Sequence, residues 1–142
     1  MLIKWFHATG ESELGAARAL RDAHVSNHLD AHILDLALYE VGDVLIRSLG
    51  WPADEVADQL DDLLAIFGTP LLSSPEWLRS AAEVAAAHRL TFYDAAWVAA
   101  ARGLGVPLVS ADRQLLAAGL AESATTAAQR LGLHASDDPT ST

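Results

Sequence analysis

The run VPLVS at residues 106–110 constrains the fold of this chain more than any other segment. It is β-prone and apolar, it is only five residues long, and a polar turn follows it at once. Such a segment is typical of a buried strand in a parallel sheet, where helices cover both faces. We therefore expect an α/β fold.

Helical patterns occupy much of the remaining sequence, and two further apolar stretches, at 31–34 and 69–73, are short enough for strands. Short strands that alternate with helices predict a three-layer α/β/α sandwich with a central, mainly parallel sheet. In such a fold, sites gather beyond the carboxyl ends of the strands. Five helices are predicted: from Glu11 to about His24, from Leu36 (capped by Asp35) to about Leu49, from Pro52 to Phe67, from Pro75 to about Arg89, and one that Thr91 precedes and Gly103 ends.

Size and composition are those of one domain. The 142 residues are 51% hydrophobic, which is enough for a single compact core. We expect residues 1–134 to form this domain and the polar tail ASDDPTST, residues 135–142, to be disordered. The chain has no cysteine, so any bound metal must be held by oxygen or imidazole ligands.

The charge balance is strongly acidic, with nineteen acidic and nine basic residues. This argues against a protein that holds nucleic acid mainly by a broad phosphate-binding surface. A bound divalent cation would invert the potential locally, and a basic partner could dock on the acidic surface. The N-terminus does not resemble a secretory signal and no segment is suited to span a bilayer, so we expect a cytoplasmic protein that does not bind membranes.

Three acidic residues stand in apolar surroundings near predicted strand-to-helix corners: Glu40, Asp94 and Asp112. A charge is costly in such surroundings unless something pairs it or binds it. Carboxylates that converge at one edge of the sheet could bind Mg²⁺ or Mn²⁺, which would activate water against a phosphodiester.

Each of these residues also has a purely structural interpretation. Thr91 with Asp94 three residues later fits a capping box. Asp112 could cap the helix that begins near Arg113, and Glu40 could lie on an ordinary polar helix face. Spacing alone leaves the metal site and these structural roles open.

Two stretches carry a resemblance to a known family. LALYEVGDVLIR at 36–47 and, far more specifically, LTFYDAAWVAAARGLGVPLVSADRQLLAAG at 90–119 resemble the VapC-type toxins of the PIN-domain family. The resemblance implies that Glu40, Asp94 and Asp112 are metal-binding and catalytic acids, with Ser110 as an assisting hydroxyl. It also implies an Mg²⁺- or Mn²⁺-dependent endoribonuclease, the toxin of a toxin–antitoxin pair, which forms a homodimer and is inhibited by a VapB-like antitoxin.

One departure from the family pattern concerns the N-terminus. Such domains begin with a strand that ends in an aspartate, followed closely by a segment similar to LIKWF, which here is residues 2–6. We therefore expect the first strand and the first acidic residue to lack a counterpart.

The alternative to an active endoribonuclease is a catalytically inactive PIN-like module that only binds an antitoxin. A phosphoacceptor receiver domain fits less well. Such a domain should have a lysine after its last strand, whereas the single lysine of this chain, Lys4, lies near the N-terminus.

Further candidates concern substrate and partner contacts. Arg113, directly beside Asp112, is the best candidate for a phosphate contact. Trp97, three residues after Asp94, is expected to pack rather than to stack on bases. An acidic run on the third helix is either a solvated face or a landing place for a basic antitoxin segment, and it comprises Asp54, Glu55, Asp58, Asp61 and Asp62.

Overall fold

The computed structural model describes residues 1–4 and 11–133, without the side chains of residues 11–13. The predicted disordered tail, residues 135–142, lies outside the described residues. The described elements are β1 (Leu2–Lys4), α1 (Glu11–Val25), α2 (Leu36–Asp43), a π-helical turn (Val44–Ser48), α3 (Ala53–Phe67), α4 (Pro75–His88), α5 (Phe92–Leu104), β2 (Leu108–Ser110), α6 (Arg113–Ala117) and α7 (Ala124–Arg130).

The sheet is parallel throughout its described part. β1 pairs with β2, with Leu2 opposite Leu108 and Lys4 opposite Ser110. Single parallel bridges extend the sheet on both sides: Leu2 with His32 and Leu34 with Leu71 on one side, and Val109 with Glu122 on the other. The expected three-layer α/β/α sandwich with a mainly parallel sheet is confirmed, with α4 packed on α5, α1 on α7, and both α5 and α7 against strands.

The centre of the sheet differs from the expectation that the first strand lacks a counterpart. Leu2–Lys4 themselves form the central strand, with hydrogen bonds to both neighbours. The Leu2 N–H donates to Pro107 O at 3.0 Å, and the Ile3 N–H donates to His32 O at 2.8 Å. The physical reason is that a gap here would leave buried backbone groups of both neighbours without partners. The residue at the carboxyl end of this strand is consequently Lys4.

Two predicted boundaries around β2 were wrong. The strand begins at Leu108 rather than Val106, because the Val106 N–H donates to Ala101 O at the end of α5 and Pro107 has no N–H to give. Helix α5 continues through Gly103 and is terminated by Gly105, which has a positive φ of 67°.

Other differences are local. The predicted helix from Leu36 to about Leu49 changes to π-helical geometry at Val44. Asp35 does not cap it with its side chain as predicted, because its backbone is itself in the helical region. The strand predicted at 69–73 is reduced to the single bridge that Leu71 forms with Leu34.

Among the described residues, no helix combines the length and the apolar character needed to cross a bilayer.

Candidate active site

The candidate site lies at the carboxyl end of the central strands. Lys4 and Ser110 are the last residues of β1 and β2, they are register partners, and both are 2% exposed. In a parallel sheet this end is where the loops and helices that follow the strands can place side chains above the sheet. Helices α2 and α5 each contribute one carboxylate here.

Glu40 reaches the site from the middle of α2. Its Oε2 atom lies 3.6 Å from the Nζ atom of Lys4, and its Oε1 atom accepts a hydrogen bond from Trp97 Nε1 at 3.4 Å. The Glu40 side chain is 21% exposed, whereas Trp97 is fully buried. Glu40 is therefore not an ordinary polar-face residue, because both of its carboxylate oxygens point to buried groups.

Asp94 reaches the site from the first turn of α5. The Asp94 N–H donates to Thr91 Oγ1 at 3.1 Å, so Thr91 caps this helix as predicted. The carboxylate of Asp94 points to the sheet instead, where its Oδ1 atom lies 3.5 Å from Lys4 Nζ. The structural role of Thr91 and the contact of Asp94 with the candidate site thus coexist.

The residues after β2 are arranged differently. Ser110 Oγ accepts a hydrogen bond from the Asp112 N–H at 3.0 Å. The Asp112 carboxylate caps α6, where its Oδ1 atom accepts from the N–H groups of Gln114 at 2.9 Å and Leu115 at 3.1 Å. Arg113 is exposed beside it. Asp112 therefore has the helix-capping role that the sequence allowed for it. It borders the candidate site through its hydrogen bond with Ser110.

The electrostatics of the site centre on Glu40. Burial raises the pKa of the Glu40 carboxyl above its ordinary value of 4.5, because the charged form loses hydration. The Lys4 ammonium and the Trp97 hydrogen bond act in the opposite direction, and the charge of Asp94 raises the pKa further. Two carboxylates and one ammonium share a small volume, so the protonation of Glu40 depends on all three.

The sequence did not predict that Lys4 and Trp97 contribute to the candidate site. Lys4 stands inside the short apolar run MLIKWF and is the single lysine of the chain, which is a signal that its charge needs a buried partner. Trp97 lies three residues after Asp94, a spacing that puts both side chains on one face of α5. Trp97 packs in the core as expected, and its indole N–H also holds Glu40.

The donor chemistry of the site suits a hard divalent cation, since Glu40, Asp94 and Ser110 offer only oxygen atoms. The arrangement of these groups around Lys4 does not fit such a cation. The Lys4 ammonium stands within 3.6 Å of both carboxylates, where such an ion would bind. Within residues 1–4 and 11–133, no group of three or more His, Cys, Asp or Glu side chains is placed to hold a metal ion.

Comparison with known proteins identifies the family to which this fold belongs. The PIN domain family model matches residues 1–120. Ribonuclease VapC3 of Pyrobaculum aerophilum is 38% identical over 95 residues, which is 64% of this chain and 72% of that protein. The crystal structure of PAE2754 from Pyrobaculum aerophilum superposes with a TM-score of 0.66 at 30% identity, covering 92% of this chain and 88% of that one. The chain therefore belongs to the PIN-domain family.

Proposed function

We propose that this chain is an endoribonuclease, the toxin component of a toxin–antitoxin pair, that hydrolyses RNA phosphodiester bonds. Membership of the PIN-domain family and the likeness to a protein named Ribonuclease VapC3 support the proposal. The observation that carries it is the convergence of Glu40 and Asp94. These carboxylates come from different helices and approach one point at the carboxyl end of the sheet.

The proposal includes dependence on Mg²⁺ or Mn²⁺, and the oxygen-only donor set supports it. Glu40, Asp94 and Asp112 remain the proposed metal ligands. Both cap hydrogen bonds of Asp112 end on Oδ1, so Oδ2 is the oxygen that could serve as a ligand while the cap on α6 stays. The Lys4 ammonium would have to move from between Glu40 and Asp94, so no chemical step is assigned to the ion in the arrangement described above.

Ser110 and Arg113 have proposed roles on the substrate side. Ser110 Oγ is fixed by the Asp112 N–H, and its position beside Lys4 suits a hydroxyl that orients a polar group in the site. Arg113 is exposed at the start of α6, next to Asp112. A guanidinium there can reach a phosphate of a bound RNA, which an acidic surface would otherwise repel.

The proposed partners are an RNA substrate, a VapB-like antitoxin and a second copy of the chain. The acidic run on α3 (Asp54, Glu55, Asp58, Asp61 and Asp62) is exposed along its whole length. Val56, Leu63 and Phe67 on the same helix are buried, so the helix is amphipathic. The exposed carboxylates suit either a solvated face or the docking of a basic antitoxin segment.

A catalytically inactive module that binds an antitoxin is the second candidate function. The position of Lys4 favours it, because its ammonium already forms ion pairs with both carboxylates that a nuclease would use.

RNA cleavage with and without Mn²⁺ tests the proposed activity. Asp94→Asn should reduce metal-dependent cleavage by roughly 100-fold or more, as expected for a group that acts at the reacting atoms. Glu83→Gln, which removes an exposed carboxylate on α4, is the matched control and should cleave like the wild type. Equal cleavage by Asp94→Asn would remove Asp94 from the mechanism. Tight antitoxin binding by a wild-type chain without metal uptake or cleavage would favour the inactive module.

A further inference from the structure

The position of the Lys4 side chain is unusual for a lysine. Lysine is almost never fully buried unless it is paired, yet this side chain is 1% exposed. Its Nζ atom lies 3.5 Å from Asp94 Oδ1 and 3.6 Å from Glu40 Oε2. One positive charge therefore stands between two negative charges that belong to different helices.

The backbone holds Lys4 in this place from both sides. The strand that it ends is hydrogen-bonded through Leu2 to Pro107, directly before β2, and through Ile3 to His32 on the other side. In addition, the His32 N–H donates to Met1 O at 2.9 Å. Because the strand is fixed in register, the lysine stem rises at the carboxyl end of the sheet, and the ammonium meets the carboxylates there.

We infer that the Lys4 ammonium and a divalent cation are mutually exclusive occupants of the space between Glu40 and Asp94, so that Lys4 acts as a built-in cation that closes the site to metal. The inference concerns the carboxylates of the proposed nuclease centre and in that sense rests on the proposed function.

The exclusion follows from size and charge. Mg²⁺ binds carboxylate oxygens at about 2.1 Å, so Glu40 and Asp94 would both have to close on the ion. An ammonium that lies 3.5 to 3.6 Å from the same oxygens would then stand against a divalent cation in a poorly hydrated place, where like charges repel strongly. Bound metal must therefore expel Lys4 toward solvent, and buried Lys4 must exclude the metal.

Because Lys4 is the single lysine, its accessibility can be read directly in the wild-type chain. Reductive methylation marks amines, and fragment-ion mass spectrometry separates Lys4 from the terminal amine. In EDTA, labelling of Lys4 should be at least about 100-fold slower than in urea, because it requires local opening. Mn²⁺ is then titrated, with uptake followed by calorimetry.

Two results would support the inference: no Mn²⁺ uptake with Lys4 still protected, or Mn²⁺ uptake that makes Lys4 reactive in parallel. Mn²⁺ bound with Lys4 still protected would overturn it, and so would rapid labelling of Lys4 in EDTA. These readings do not involve RNA. Failure of the inference is thereby separated from failure of the proposed activity.

Lys4→Met gives an independent test, since it keeps an unbranched stem and removes the charge. The variant should bind Mn²⁺ at least about 10-fold more tightly than the wild type, because no competing cation remains. Arg79→Met, which removes an exposed positive charge from α4, is the matched control and should not change Mn²⁺ affinity. A folded Lys4→Met chain that binds Mn²⁺ no more tightly would contradict the inference. If this variant does not fold, the labelling of the wild-type chain decides.

Discussion

The indole Nε1 of Trp97 donates to Oε1 of Glu40 at 3.4 Å and so connects the core of α5 to the candidate site on α2. The ring of Trp97 is fully buried, so the hydrogen bond starts from a rigid donor. Glu40 is thereby held from one side by Trp97 and from the other by Lys4.

Trp97→Phe should keep most of the packing and lose this donor. We expect a loss of about 1 kcal/mol in the free energy of unfolding, because the hydrogen bond is long but its acceptor is charged. The pKa of Glu40 should rise further, since the Trp97 hydrogen bond lowers it. Urea unfolding and carboxyl NMR measure the two effects, with Trp51→Phe as the control at a partly exposed tryptophan. An unchanged Glu40 pKa would show that the contact has no electrostatic effect.

Gly103→Ala should destabilise the chain although alanine favours helices. A Cβ atom at Gly103 would clash with Trp77 Nε1, so the rigid indole between α4 and α5 would have to shift. We expect a cost of about 2 kcal/mol, as for other overpacked positions. Trp77→Leu should remove most of this cost in the double variant, measured by urea unfolding.

Gly42→Ala on α2 is the control for this pair. Its Cβ atom would meet only Leu60 Cδ1 at 3.9 Å, an ordinary contact. Alanine should therefore stabilise the helix here by roughly 0.5 kcal/mol or leave it unchanged. Equal effects of the two glycine substitutions would mean that the packing of Trp77 does not explain Gly103.

Glu40 should make stability depend on pH. Burial raises its pKa above 4.5 in the folded chain, so the folded state binds the proton more tightly than the unfolded state. The stability that the protonated Glu40 contributes is fully present below the pKa that Glu40 has in the unfolded chain. It is lost as the pH rises through the pKa that Glu40 has in the folded chain. The unfolding free energy of the wild type minus that of Glu40→Gln should thus decrease from acidic to neutral pH. The measurement is urea unfolding in EDTA at several pH values. A difference that increases with pH would contradict the assignment.

Asp112 can be tested for its two roles separately. Asparagine caps helices as well as aspartate does, so Asp112→Asn should keep the stability of the chain, whereas Asp112→Ala should lose about 1 kcal/mol. If Asp112 is also a metal ligand, both variants should lose RNA cleavage. Suppose that Asp112→Asn cleaves RNA like the wild type, and that Asp112→Ala loses cleavage only in proportion to its loss of stability. Capping of α6 would then be the sole role of Asp112.

Much of the fold could be predicted because its signals are local. Pro75 opens α4 and Thr91 caps α5, and both features can be read from a few neighbouring residues. The prediction that Gly103 ends α5 is wrong, because the glycine is needed there to make room for the indole of Trp77, which is distant in sequence. The same limit applies to β1, whose place in the sheet depends on the backbone groups of two segments far along the chain.

The candidate site could be predicted only in part. The resemblance singled out Glu40 and Asp94, and the structure brings both to Lys4. Neither the ion pairs of Lys4 nor the hydrogen bond of Trp97 follows from spacing. They depend on the register of β1 and on the rotation of α2 and α5 about their axes, which only tertiary packing determines. The catalytic roles of Glu40, Asp94, Asp112 and Ser110 stay predictions.

The coupling of Lys4 to its two carboxylates can be measured by urea unfolding of a set of variants. Glu40→Gln with Asp94→Asn leaves the buried ammonium without counter-charges and should cost about 3 kcal/mol, as when one side of a buried ion pair is removed. Adding Lys4→Met to this double variant should recover most of the loss. If Lys4→Met instead destabilises the double variant as much as it destabilises the wild type, the three residues do not form one charge cluster.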